Sequence, residues 1–337
     1  MFLPKFIKSL SLLAFLPLIG WALPLATAEK KVQHSYSCLE RKLYPLPLEQ
    51  QADYALILYR TTGDKVWLNT ARATLYLSSD RLQKLATGIQ SSTSRKELLH
   101  SEASSFKSEL LDKHEDYFFY AFLVLPQLSR IDRFSMVLKG GLGEGFDRAM
   151  SSINFKKGLT SPELLEEYAP TLAKHVYHLL NLDYGDYRKF FIEAFRAAYP
   201  DIQDRTMSEG KRQRKWKTMA NLVLAASGYL QRPVNDPLLE WIPKYFAANE
   251  LYILRQGDDE LLAKVGLALL LTGVNNNNLL RKIKERMSNR QCSDQIRAAD
   301  FWSMLLLGWK GEYRHDPAFY KMEKFKNKTP YILKPFH

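Results

Sequence analysis

Leu261-Leu262-Ala263-Lys264-Val265-Gly266-Leu267-Ala268-Leu269-Leu270-Leu271 is the stretch that decides the fold. Leucine and alanine favour a helix, and Lys264 is the only charge in the run. A helix apolar on every side has to be enclosed on every side. The run stops at Gly273, short of the ~20 residues that a bilayer span needs. Trp216–Leu230 and Phe301–Trp309 are apolar nearly all round in the same way. The segments from Pro162 and from Tyr187 are instead amphipathic, with one charged face. Enclosed rods paired with half-exposed ones predict an all-α protein with two helical layers, α/α-toroid-like or a closed helical solenoid. A compact irregular helical domain is the alternative arrangement.

Helical spacing extends outward from these rods, and strand signals are scarce. Ala52, Ala55, Leu56 and Tyr59 share a face that ends at Gly63-Asp64, and the pattern resumes with Trp67, Ala71 and Leu75. The same Gly-Asp junction recurs at 185–186 and 257–258. Glycine can close a helix in the left-handed region and aspartate can cap the next one. Their unequal spacing argues against a fixed-period repeat array. Further helices are expected at 98–111, 114–130, 162–182 with a kink at Pro170, 211–230, 237–254, 258–272, 278–288 and 294–309. Gly140–Gly145 reads as the main flexible loop.

The 337 residues carry a formal charge of +12, with 46% hydrophobic and 25% charged residues. Lys5 and Lys8, the apolar run Leu10–Leu25 and Ala26-Thr27-Ala28 read as a secretory signal peptide cleaved after Ala28. An uncleaved anchor is the rival reading, opposed by Pro17 and Pro24. The expected mature chain is one helical domain over 29–337, with a basic tail at about 315–337, periplasmic or secreted and without a transmembrane segment. Loss of Lys5 and Lys8 leaves +10, an excess that favours acidic partners. Cys38 and Cys292 are the only cysteines. In an oxidising compartment they can form one disulfide, and two free thiols are the alternative.

Tyr59–Leu68 resembles the helix-hairpin joints of α/α-toroid proteins. His114-Glu115-Asp116-Tyr117-Phe118-Phe119-Tyr120, Arg130-Ile131-Asp132, Phe155–Thr160 and the basic helix leading into Ala225-Ala226-Ser227 are similar to a bacterial family of exported helical proteins known only as a domain of unknown function. The resemblance implies architecture and export rather than chemistry. This chain departs from it near the carboxyl end, where a glycine-rich segment is missing.

Candidate chemistry is sparse. His114, Phe118, Ala121, Leu125, Leu128 and Asp132 share one helical face, which would set His114 at a cavity mouth as a general base. Tyr117 or Tyr120 would then donate a proton, and Arg130 or Arg133 would neutralise a substrate carboxylate. An ordinary capping histidine beside a core stripe explains the same pattern. Lys211-Arg212-Gln213-Arg214-Lys215-Trp216-Lys217 is the densest basic cluster. Its cations could bind phosphate or carboxylate while Trp216 stacks on a sugar or base. Cations at a helix start oppose the helix dipole, which a bound anion would relieve. A solvated first turn is the plainer reading. Basic helix 281–290 and tail residues Lys321, Lys324, Lys326 and Lys328 read as solvated surface.

His175 and His178 have a metal-compatible separation, but His178 falls on the polar side and no His-Glu-x-x-His pattern accompanies them, so no metal site is expected. Asp258, Asp259 and Glu260 suit a helix start, though paired carboxylates also serve glycoside hydrolysis. Asn221, inside an apolar helix, needs a buried partner. No Gly-x-Ser-x-Gly, Walker or Rossmann motif is present, and no cofactor is expected. The leading expectation is recognition of an acidic envelope or extracellular polymer, most simply an anionic polysaccharide rather than nucleic acid. A polysaccharide lyase or glycoside hydrolase of the same compartment is the second reading, and a secreted partner-binding or virulence-associated factor the third.

Overall fold

The computed structural model describes residues 43, 46, 48–73, 75–102, 106–133, 142–289, 298–314, 320–322 and 333–335. The expected signal peptide, Cys38, Cys292 and the basic tail apart from 320–322 and 333–335 lie outside the described residues. The helices are α1 (Leu48–Thr62), α2 (Lys65–Ala73), α3 (Leu75–Gln90), α4 (Ser92–Ser101), α5 (Ser108–Lys113), α6 (Glu115–Tyr117), α7 (Leu125–Arg133), α8 (Leu142–Ser152) and α9 (Phe155–Leu159). They continue as α10 (Pro162–Asn181), α11 (Arg188–Ala198), α12 (Glu209–Ala226), α13 (Trp241–Ala248), α14 (Glu250–Gln256), α15 (Asp259–Leu271), α16 (Asn278–Ser288) and α17 (Ala298–Gly308). Two three-residue strands, β1 (Tyr320–Met322) and β2 (Leu333–Pro335), pair antiparallel with Tyr320 opposite Pro335. The chain is all-α apart from this short ladder.

The apolar rods are enclosed as their composition requires. Leu261–Leu269 of α15, Thr218–Ala226 of α12 and Phe301–Leu306 of α17 are buried throughout. Lys264 is buried with them, paired with Glu260 and lying 4.9 Å from the centre of the Trp302 ring. Contacts pass from α1 to α2, α3, α7, α10, α12, α15 and α17, and from α17 back to α1. Arg60, fully buried in the last turn of α1, donates to the carbonyls of Gly228 and Tyr229 at 2.9 and 3.1 Å. A cation thereby meets the negative end of α12, where the backbone turns left-handed.

All three Gly-Asp junctions separate helices. Gly63, at φ +76°, ends α1, and Asp64 accepts from the Val66 amide at 2.9 Å. Gly257 differs: its φ is −69°, and glycine suits it because a Cβ would fall 2.6 Å from the Ile253 carbonyl oxygen. Asp258 caps α15 by accepting from the Leu261 amide.

Three expectations need correction. The helix expected over 98–111 is two helices, α4 and α5, because the Glu102 amide folds back to the carbonyls of Leu99 and His100 and ends the first. The segment expected over 237–254 divides into a turn of 3₁₀-helix, Pro237–Leu239, followed by α13 and α14. Of the stretch read as a flexible loop, 142–145 belongs to the first turn of α8, while 140 and 141 lie outside the described residues. Phe146 and Met150, four apart and both buried, anchor that helix despite its glycines.

The 114–130 helix also differs from a regular one. Between α6 and α7 the rod widens into π-helical turns over Phe118–Val124, with the Leu125 amide reaching back five residues to the Tyr120 carbonyl. A constant 3.6-residue period therefore does not run from His114 to Asp132, and Tyr117–Ala121 are buried without interruption. Tyr117 packs with Phe122, Phe155 and His175. Gly158 lies so close that a Cβ there would come within 2.0 Å of the Tyr117 ring. Gly158→Ala should therefore destabilise the fold by about 1–3 kcal/mol, read as a lower urea midpoint with unchanged slope.

Burial holds the His175 imidazole well down, at about 3 against an ordinary 6.5, with Lys174 adding to the shift. The unfolded chain takes up this proton below about pH 6.5 and the folded one does not. Stability from this group is complete above that pH and falls as the pH drops toward 3, by at most about 1.4 kcal/mol per pH unit. Urea unfolding at pH 7.5 and 5.0 should show a smaller acid loss for His175→Leu than for the parent chain. Equal losses would mean that His175 is not the titrating group.

Candidate functional site

The basic cluster at the start of α12 is dealt out around the helix. Helical geometry turns each successive residue by about 100°, so the cations reach different neighbours. Lys211 approaches Glu166 at 3.9 Å and the Tyr199 ring at 5.5 Å. Arg214 donates to the Glu166 carbonyl, and Lys217 pairs with Asp258 at 2.9 Å. Arg212 donates to the Gln256 side chain at 2.6 Å and to the Met207 carbonyl at 2.7 Å. Lys215, only 1% exposed, binds Asp201 at 2.6 Å and Asp204 at 2.7 Å. These carboxylates, with Glu209 in the first turn, supply the relief from the helix dipole that the sequence left to an external anion.

Lys215 and Trp216 are corrected by their burial. Trp216 has no exposed surface, and its indole donates to the Tyr245 hydroxyl at 3.3 Å, so the ring is not presented for stacking. Arg214 is likewise committed to backbone. Pro170, inside α10, has no amide hydrogen to offer the Glu166 carbonyl one turn before it. Arg214 and the Tyr199 hydroxyl, the latter at 3.2 Å, satisfy that oxygen instead. Asn221 finds its partner at the same break, donating to the Pro170 carbonyl at 2.9 Å.

Beside this helix opens a cleft of about 740 Å³. One wall is the turn after α11, with Asp201, Ile202, Asp204 and Arg205, together with Arg196 of α11 itself. The other is one face of α13, carrying Trp241, Lys244, Tyr245 and Ala248 at helical spacing, continued by Asn249 and Tyr252. Arg212 lines it from α12. Arg196 lies 5.0 Å from the centre of the Trp241 ring, Arg212 lies 5.6 Å from Tyr252, and Lys215 lies 4.6 Å from Tyr245.

The balance of charge in the cleft is positive. Asp201 and Asp204 share the single ammonium of Lys215, and Asp204 also accepts from the Tyr245 hydroxyl at 2.6 Å. Burial and then Asp204 drive the Tyr245 phenol far above its ordinary range, so it stays a neutral donor. Arg196, Arg205 and Lys244 make no ion pair among the described residues, and Arg212 bonds only to neutral oxygens. Four cations outweigh two carboxylates that share Lys215, and three aromatic rings line the same concavity.

The other trio expected from sequence is not brought together. Neither this cleft nor a second one of about 300 Å³, lined by Lys96, Leu99, His100, Leu111, Asp112 and Glu115, is lined by His114, Tyr120 or Arg130. His114 stands at the start of α6, where it caps nothing with its side chain, and lies 3.4 Å from Glu163. Tyr120 is buried under Arg95, with burial raising its phenol above the ordinary value. Arg130 is held by Asp53 through two nitrogens, at 2.9 and 3.3 Å. Of the two histidines weighed for a metal, His175 is buried in the aromatic core, whereas His178 bonds Ser129 at 2.7 Å.

Arg196, Arg205, Trp241, Lys244, Tyr245 and Tyr252 were not picked out from the sequence. The available signal was the spacing of Trp241, Lys244 and Tyr245, which sets two rings and a cation on one helical face. Lys215→Met should cost about 2–4 kcal/mol, since it leaves two carboxylates facing each other without their cation. Thermal unfolding near neutral pH checks this, and an unchanged midpoint would show that the triad adds nothing.

No helix among the described residues is long and apolar enough to cross a membrane. No curated protein and no solved structure matches the chain. One family model does, over residues 27–297, which spans every element from the start of α1 to α16 and both walls of the cleft. The chain belongs to the family described as domain of unknown function DUF3541.

Proposed function

We propose that this protein is exported and binds an acidic polymer, an anionic glycan, in the cleft between α13 and the turn after α11. The observation that carries the reading is the convergence of Arg196, Arg205, Arg212 and Lys244 with Trp241, Tyr245 and Tyr252 in one open concavity. Cations bind the carboxylates or sulfates of such a polymer, and aromatic faces take up the C–H faces of sugar rings. Two of the rings lining the cleft are held by hydrogen bonds, Tyr245 to Asp204 and Trp241 to the Leu238 carbonyl. Export is supported by the basic head, the apolar run and Ala26-Thr27-Ala28. The family match begins at residue 27, so residues 1–26 of that leader lie outside the matched region. The cyclic order of helix contacts supports a toroid-like ring as the scaffold.

Retention on immobilised uronate polymers, such as polygalacturonate and alginate, tests the proposal. Trp241→Ala and the pair Arg196→Gln with Arg205→Gln should each weaken retention about tenfold at low salt. Binding of the parent chain should fall as salt is raised, because exposed charges are screened. Retention that is the same in parent and variants, across every polymer tried, would refute the reading.

A further inference from the structure

The exposed margin of the cleft carries aliphatic side chains that polymer binding does not use. Ile202 is 92% exposed, at the middle of the three-residue 3₁₀ turn Asp201–Gln203. Leu251 is 74% exposed and Tyr252 46% exposed, side by side on α14. These are the most exposed large apolar side chains near the cleft, and Ile202 and Tyr252 both line it. A hydrophilic glycan gives an aliphatic side chain nothing to bury against. The acyl boundary of a bilayer does.

The charges around these side chains match an anionic surface. Arg205, Lys244 and Arg255 are exposed and make no ion pair among the described residues. Arg255 follows Leu251 by one helical turn, so the two share an edge of α14. α14 packs against α16, whose exposed Arg281 and Arg286 are paired with Glu285 at 3.9 Å and Asp259 at 2.8 Å, so the free cations of this face are Arg205, Lys244 and Arg255. Glu250, the carboxylate nearest Leu251 in the chain, is already engaged by Lys282 and Asn278. Apolar tips, an amphipathic tyrosine and surrounding cations are the combination that binds at the headgroup level of a charged bilayer.

We propose that the rim formed by Ile202, Leu251 and Tyr252, ringed by Arg205, Lys244 and Arg255, docks peripherally onto an anionic phospholipid surface. The tips enter the headgroup boundary while the cations meet lipid phosphates. The cleft then opens along the membrane, where polymers anchored in or lying against it pass its mouth. Docking is separable from the polymer reading through Ile202, Leu251 and Arg255, which that reading does not use, whereas Tyr252, Arg205 and Lys244 are common to both.

The test is co-sedimentation of the full chain with vesicles of phosphatidylglycerol and phosphatidylcholine, compared with phosphatidylcholine alone. The parent chain should partition at least about tenfold better onto the anionic vesicles, less so at high salt. Ile202→Ser with Leu251→Ser should reduce the anionic partition about tenfold. Lys244→Gln with Arg255→Gln should remove most of the preference for anionic over neutral lipid. All of these positions are exposed, so circular dichroism should be unchanged, and comparison of variants in one chain cancels any contribution of the leader. Equal partition of the parent chain onto both vesicles would overturn the proposal, as would an Ile202→Ser, Leu251→Ser chain that partitions like the parent. Retention on uronate polymers without vesicle binding would overturn it too, while leaving the cleft reading intact.

Discussion

The ammonium of Lys215 is the constraint on which the cleft depends. A charge withdrawn from water this completely is tolerable only with opposite charge in contact, and Asp201 and Asp204 supply it. The same contact fixes the turn after α11, which would otherwise be an exposed connection with little core of its own. Asp204 in turn receives the Tyr245 hydroxyl, and that hydroxyl receives the Trp216 indole. One buried cation thus ties the two walls of the cleft to α12. The site gains a fixed Tyr245 ring, and its outer cations make no ion pair among the described residues.

The scaffold behind the site obeys a similar rule at the level of backbone. Enclosed helices leave few routes to water for any carbonyl that loses its intrahelical partner. Pro170 creates such a loss within α10, and the chain answers with Tyr199, Arg214 and Asn221 around the break. At the end of α12, Arg60 serves the same purpose for carbonyls in a left-handed turn. Side chains that look like surface cations or stray polar residues in the sequence are backbone partners in the fold.

That exchange of roles explains what was legible. The buried rods were readable because their composition allows no exposed face, and no tertiary detail alters that. Caps at Asp64 and Asp258 were readable because they act within a few residues. The basic cluster was visible as a cluster but not as a set of partners. Its cations are sorted by which helix each one meets, and adjacent residues face different neighbours. The π-helical turns over Phe118–Val124 were invisible as well, since the hydrophobic spacing of the segment reads equally as an ordinary helix.

By itself the sequence determined an all-helical protein with enclosed rods, its main helix caps and an excess of positive charge, because composition and near-neighbour chemistry suffice for these. Tertiary structure alone decided which cations are spent inside the fold and which stay free. It also decided that Trp241, Tyr245 and Tyr252, rather than Trp216, face a cavity. The physical reason is range: a helix cap acts over one turn of chain, whereas the pairing of Lys215 with Asp204, or of Arg60 with Gly228, exists only once distant segments have packed.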